Sequence, residues 1–240
     1  MNTPAVSTPG ADRPAPPRAV LFDAYGTLFD VYSVGALAES LFPGHGERLT
    51  LLWRDKQIEY TRLTSMSGEA GAHYRPFWDL TRAGLRYAAR RLGLQLGLDA
   101  ESRLMDQYRQ LTAFPENREV LVELQSRGIP TGILSNGDPD MLGAVVRSAG
   151  FDTLLDHVLS VHPLRRYKTD PATYALGPQA MGLPAAQILF VSSNSWDALG
   201  ATWYGYQTLW VNRANLPFEE LDTQPTRIGS SLRDVLSFLD

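Results

Sequence analysis

The sequence predicts an α/β protein: a parallel β-sheet covered by helices on both faces, interrupted early by an all-helical insertion. Three observations lead there. From Phe114 onward helical and strand-like apolar patterns alternate, the signature of a parallel sheet. Ahead of them Val20, Leu21 and Phe22 form a short continuous apolar run, as a strand buried on both faces requires, and the run ends on Asp23. Between the two, 31–111 carries long helical patterns and no convincing strand.

Met1 to Pro17 is rich in Pro, Ala, Thr and Ser, with neither a basic start nor an apolar core. It reads as the disordered tail of a cytoplasmic protein. In the insertion, Leu49, Leu52, Trp53 and Lys56 to Tyr60 recur at helical spacing, and Phe77, Leu80, Leu85, Tyr87, Ala88 and Leu92 give a second amphipathic helix. Ser65, Ser67, Gly68 and Gly71 mark the loop between them, and Asp99 caps a third helix running to about Leu111. Beyond it, Val120, Leu121 and Leu124 mark a helix closed by Gly128, followed by a strand from Ile129 to Leu134. Asp138 and Pro139 cap and open the next helix, which Gly150 ends. His157 to Val161 and Ile188 to Val191 are strands, separated by a helix around Tyr174 to Met181. Thr208 to Val211 is the last strand, and Leu232, Val235, Leu236 and Leu239 mark the last helix. The predicted division is a tail at 1–17, a core at 18–30 and 112–240, and the insertion at 31–111.

Composition narrows the partners. A chain of 240 residues, 44% of them hydrophobic, can bury a sizeable interior. A net charge of −4 without a basic cluster gives no support for nucleic-acid or membrane-surface binding, so small molecules are the expected partners. No apolar run reaches the ~20 residues that span a bilayer. The absence of cysteine excludes disulfides, thiolate metal sites and a Cys nucleophile.

In such a sheet, ligands gather beyond the carboxyl ends of the strands. The polar clusters fall there: Asp23 with Gly26 and Thr27, then Ser135-Asn136-Gly137, then Lys168, then Ser192-Ser193-Asn194-Ser195-Trp196-Asp197. A carboxylate at a strand end beside backbone amides is placed to attack. The plainer alternatives are an Asp opening a turn, a surface lysine and a helix-capping Asp.

Asp23-Ala24-Tyr25-Gly26-Thr27 resembles the nucleophile motif D-x-[DYL]-G-T of the haloacid dehalogenase superfamily, and the later clusters resemble its second, third and fourth motifs in order. The resemblance implies a Rossmann-like core with an inserted helical cap. Within the superfamily, the stretch Leu52-Trp53-Arg54-Asp55-Lys56-Gln57-Ile58-Glu59-Tyr60 is similar to the L-W-R-x-K-Q-x-E-Y helix of the L-2-haloacid dehalogenases. Phosphatase members carry a second Asp where this chain has Tyr25, and an acidic pair for magnesium where it has Asp197 preceded by Ser and Asn. A halide leaves without a proton and a carboxylic substrate needs no divalent cation, so the resemblance implies carbon–halogen cleavage without metal or cofactor. The chain departs from the family at Thr169, where Pro usually follows the lysine, and in a longer cap around Gly68 to Tyr74.

The roles implied are these. Asp23, aimed by Thr27, attacks C2 of a short 2-haloalkanoate. Arg54 receives the halide with Asn136 and the Trp196 ring edge, while Ser135 and the amides of Ala24 and Tyr25 hold the substrate carboxylate. Lys168, settled by Tyr174, keeps Asp23 ionised, and Asp197 activates water fixed by Ser192 and Asn194. His45, His73, His157 and His162 are given structural roles, and a homodimer is expected. The competing readings are a magnesium-dependent phosphatase of the same superfamily and a non-catalytic binding protein with this fold.

Overall fold

A computed structural model describes residues 15–68 and 71–239 of the chain. Most of the predicted tail, 1–14, lies outside the described residues, as do two positions of the lengthened loop between Gly68 and Tyr74. Ala15 to Pro17, also assigned to the tail, is described: Pro17 is buried and the Ala15 carbonyl accepts from Gln207 Nε2 at 2.8 Å.

Six parallel strands form one sheet: β1 (Ala19–Phe22), β2 (Thr131–Ser135), β3 (His157–Ser160), β4 (Ile188–Ser192), β5 (Gln207–Val211) and β6 (Arg227–Gly229), in the order β3-β2-β1-β4-β5-β6. Every residue of β1, β2, β4 and β5 is buried, as strands covered on both faces must be. The order reverses at β1, so the loops after β1, β2 and β4 open onto one crevice. The edge strand β6 is three residues of alternating exposure, too short to read from sequence.

The helices that follow the core strands are α5 (Asn117–Ser126), α6 (Pro139–Ala149), α7 (Pro171–Met181) and α8 (Ser195–Tyr204). The last predicted helix is instead a 3₁₀ segment, Leu232–Phe238, opened by a capping box in which Ser231 and Asp234 satisfy each other's backbone. No helix among the described residues is long and apolar enough to cross a membrane.

Among the described residues the insertion holds four α-helices: α1 (Gly35–Leu41), α2 (Gly46–Met66), α3 (Phe77–Arg91) and α4 (Leu98–Tyr108). The sequence pattern does not predict α1; only Ala38 on it is fully buried, which leaves almost no apolar period. Ser65 belongs to α2, not to the following loop. Asp99 is no cap: Gly97 holds that position, Asp99 sits in the first turn where a carboxylate suits the helix dipole, and α4 stops at Tyr108. The buried face of α2 runs through Leu49, Thr50, Trp53, Arg54, Gln57 and Thr61, a stripe at helical spacing that carries polar side chains inward.

One cap falls elsewhere than predicted. The Asp138 side chain makes no bond to its own helix α6. Its two oxygens accept from the Phe77 and Trp78 backbone N–H groups at 2.9 and 2.7 Å, so a core residue caps α3 of the insertion. His162 Nδ1 lies 3.2 Å from the same carboxylate and 2.9 Å from the Tyr74 hydroxyl. The Tyr167 hydroxyl donates to the Arg75 carbonyl and Tyr167 N–H to Ser65 Oγ, so the loop carrying Lys168 is tied to the insertion.

Candidate active site

Asp23 directly follows β1, and its carboxylate is buried among donors. Oδ1 accepts from Lys168 Nζ at 3.1 Å; Oδ2 accepts from Thr27 Oγ1 at 3.1 Å and from Asn194 Nδ2 at 2.8 Å. The turn after it needs Gly26, whose φ of +94° an L side chain rarely adopts. Gly26 N–H donates to the Phe29 carbonyl, whereas the N–H groups of Ala24 and Tyr25 have no partner among the described residues. Thr27 is held in turn by Ser193 N–H, which donates to its Oγ1 at 2.8 Å.

Lys168 is the hub of the site. Its side chain is fully buried and its ammonium bridges Asp23 and Asp197, the latter at 3.0 Å. Burial pushes the Asp197 carboxyl up, to about 6, against the downward pull of Lys168 and with a further upward push from Asp23. The Tyr174 side chain is buried and its hydroxyl donates to Asp197 Oδ1 at 2.8 Å. The sequence reading has Tyr174 settling Lys168 and touching the substrate; its hydroxyl meets Asp197, the carboxylate that Lys168 also pairs with. The Lys168–Thr169 peptide is cis.

Ser135 and Asn136 end β2. The Ser135 hydroxyl accepts from Gly137 N–H, and Asn136 Oδ1 accepts from Lys168 N–H, which ties that turn to the lysine loop. The Asn136 side-chain amino group remains without a protein partner among the described residues. Ser192 Oγ accepts from Asn194 N–H at 3.1 Å, so Ser192 shapes the turn that aims Asn194 at Asp23. Tyr25 is buried, its ring between Phe77 and Tyr108, with a hydroxyl that finds no partner among the described residues. Gly137 is required beside it: a Cβ there would meet the Tyr25 ring at 2.7 Å.

Arg54 comes from α2 to close the site. Nη2 donates to the Tyr25 carbonyl at 3.0 Å and to Asn194 Oδ1 at 3.1 Å, and Nη1 donates to Gln57 Oε1 at 2.6 Å. A cavity of about 380 Å³ opens beside it, lined in part by Gly26, Tyr32, Arg54, Asn194, Trp196 and Trp210. Trp196 forms a wall of this cavity, the Arg62 guanidinium 5.4 Å from its ring centre. The structure therefore gathers Asp23, Thr27, Arg54, Asn136, Lys168, Asn194 and Asp197 into one constellation. Gln57, to which the motifs assign no role, belongs to it; its signal in the sequence is a polar residue on the apolar stripe of α2, one turn beyond Arg54.

Asp23, Lys168, Thr27 and Asn194 all lie within one matched stretch of the chain. The family model described as haloacid dehalogenase-like hydrolase matches residues 17–205. The chain belongs to this family. Among haloacid dehalogenase-like hydrolases, an (S)-2-haloacid dehalogenase of Pseudomonas sp. (strain YL) is 44% identical over 223 residues, covering 93% of this chain and 94% of the relative. A haloacetate dehalogenase of Moraxella sp. (strain B) is 40% identical, covering 86% and 91%. A crystal structure of an L-2-haloacid dehalogenase superposes with a TM-score of 0.92 at 60% identity, covering 94% and 99%. The Xanthobacter autotrophicus L-2-haloacid dehalogenase, solved with chloropropionic acid covalently bound, gives 0.84 at 35% identity, covering 92% and 98%.

Proposed function

We propose that the protein hydrolyses short L-2-haloalkanoic acids to D-2-hydroxy acids and halide through an ester on Asp23. The observation that carries the reading is a buried carboxylate, Asp23, fixed by Lys168, Thr27 and Asn194, with the Arg54 cation held close to it by Tyr25 and Asn194. An Asp23 oxygen forms a bond to C2 from the face opposite the halogen while the carbon–halogen bond breaks, and the halide leaves with the electron pair. Arg54 and the Asn136 amino group receive it. The unpaired N–H groups of Ala24 and Tyr25, with the Ser135 hydroxyl, hold the substrate carboxylate; the free Tyr25 hydroxyl is a further donor to the bound acid. Asp197 then takes a proton from water as its oxygen attacks the ester carbonyl of Asp23, and the acyl–oxygen bond breaks to release product. C2 is inverted once.

The relatives named as (S)-2-haloacid dehalogenases and the covalent chloropropionate complex of the Xanthobacter enzyme support this reading. Family likeness and the Leu51, Leu63 and Met66 side chains exposed on α2 also support a homodimer, and the expected compartment is the cytoplasm. A phosphatase would need a proton donor at position 25, and burial holds the Tyr25 hydroxyl far too basic for that work. The test is chloride release from the separate enantiomers of 2-chloropropionate, with a single turnover in heavy-oxygen water. Only the L substrate should react, Asp23→Asn should release no chloride, and the first product should carry unlabelled oxygen. Label in that first product would exclude the ester.

A further inference from the structure

Arg54 is about nine-tenths removed from solvent, yet none of its hydrogen-bond partners among the described residues is charged. An isolated buried cation is costly, and the usual remedy is a carboxylate. This site uses three neutral oxygens instead, the shortest contact being to Gln57 Oε1 at 2.6 Å. Gln57 is itself fully buried, and its amide cannot turn over. The Thr81 hydroxyl donates to the Phe77 carbonyl at 2.7 Å, so its oxygen serves as acceptor for Gln57 Nε2 at 2.6 Å. The other end of the amide then faces Arg54 and accepts also from the Tyr108 hydroxyl at 3.1 Å. Three helices of the insertion, α2, α3 and α4, therefore converge to present one neutral oxygen to the guanidinium.

Resting on the halide-receiving role proposed for Arg54, we infer that Gln57 is a positioning residue whose neutrality matters: it fixes the guanidinium without cancelling the charge that the departing halide meets. A glutamate has the same shape and would hold Arg54 as firmly once the Thr81 hydroxyl turns from the Phe77 carbonyl to donate to it. It would also place a negative charge against the cation in a dry site, where opposite charges attract far more strongly than in water. The gain from halide contact develops as the carbon–halogen bond breaks, so its loss lowers kcat more than it raises KM. The poorer leaving group suffers more.

The experiment compares wild type, Arg54→Met, Gln57→Glu and Gln57→Met. Bromide binding is followed by tryptophan fluorescence, kcat and KM are measured on L-2-chloropropionate and L-2-bromopropionate, and thermal unfolding is recorded for each protein. Arg54→Met should lose bromide binding. Gln57→Glu should stay folded, bind bromide about 100-fold more weakly and lose kcat, by several-fold more on the chloro than on the bromo substrate. Gln57→Met, neutral but unable to accept, should weaken bromide by about tenfold through misplacement of Arg54. If Arg54→Met binds bromide like wild type, the halide role of Arg54 fails and the inference falls with it. If Arg54→Met loses bromide but Gln57→Glu keeps wild-type affinity and the wild-type ratio of chloro to bromo rates, the inference alone is overturned. Should Gln57→Glu not fold, unchanged bromide affinity in Gln57→Met overturns it equally.

Discussion

Replacing Lys168 by Met keeps the length of the side chain and removes the ammonium that joins two buried carboxylates. That ammonium sits 3.1 Å from Asp23 and 3.0 Å from Asp197, in a place where the lysine side chain has no exposure. At an effective dielectric constant of ~20, each ion pair is worth at most about 5 kcal/mol of direct attraction. Desolvation of the lysine offsets much of that, and removal of one partner from a buried pair typically costs ~3–5 kcal/mol. The two carboxyls are left facing each other without a cation. Burial and Asp23 already push the Asp197 carboxyl up, and Lys168 is what restrains it, so in the variant Asp197 keeps its proton at neutral pH. Proton uptake relieves part of the instability but removes the base proposed to activate water, and Asp23 loses the donor on Oδ1. A loss of about 4 kcal/mol from the transition state is a factor of ~10³ in rate. The assay is chloride release across pH 5 to 10 alongside thermal unfolding. The variant should be at least ~10³-fold slower at pH 7, its residual activity should climb with pH beyond the wild-type plateau, and its unfolding temperature should fall less at low pH than at high pH. A Lys168→Met enzyme with the wild-type pH profile would refute the electrostatic role given to the lysine.

Other perturbations follow from the same geometry. The wild-type rate should rise with pH through about 6 as the Asp197 carboxyl ionises, and Asp197→Asn should erase that limb and accumulate the ester, visible as added mass on the protein. Because folding raises this carboxyl above its ordinary value, the group supports folding below that value and loses the contribution as pH rises through about 6. Chemical denaturation should accordingly show Asp197→Asn gaining stability relative to wild type as pH increases. Asp138→Ala removes both cap bonds to α3 and should cost ~1–2 kcal/mol in denaturant titrations while raising KM more than it lowers kcat; Asp138→Asn should recover part of both.

Much of the site is legible in the sequence because one rule connects the two. A buried apolar strand must end where the chain leaves the sheet, so Asp23, Ser135-Asn136, Lys168 and Ser192 to Asp197 fall on a common edge from the pattern alone. Direction is harder to read. Asp138 and Pro139 have the local form of a helix start, and the helix does start there, but the carboxylate turns outward to α3 because Phe77 and Trp78 offer two unpaired N–H groups at a helix end. For Tyr174 the sequence suggests a role beside Lys168 but not the contact: its ring lies edge-on to Phe190 and its hydroxyl donates to Asp197. Helix α1 leaves too little buried surface to register, and the terminal 3₁₀ segment shows the apolar spacing of an α-helix over only seven residues. Gln57 is within reach of sequence reasoning: two polar residues one turn apart on the inward stripe of an amphipathic helix are costly unless they satisfy each other, as Arg54 and Gln57 do.

The charges at the centre favour the proposed substrate over a phosphate ester. Asp23 and Asp197 are balanced by Lys168 and Arg54, but the balance is uneven in space: Lys168 is shared between both carboxylates, while Arg54 is given only neutral oxygens. A phosphate dianion entering beside Asp23 would meet an already committed lysine and would need a further cation to mask its charge. A monoanionic carboxylate asks less and can be held by the unpaired N–H groups of Ala24 and Tyr25. On the mechanism proposed above, one negative charge would move from Asp23 to the leaving atom as the carbon–halogen bond breaks. Arg54, which has no carboxylate hydrogen-bond partner among the described residues, would then be the group that gains an interaction it lacks in the ground state, which is the condition for a contact to accelerate the step.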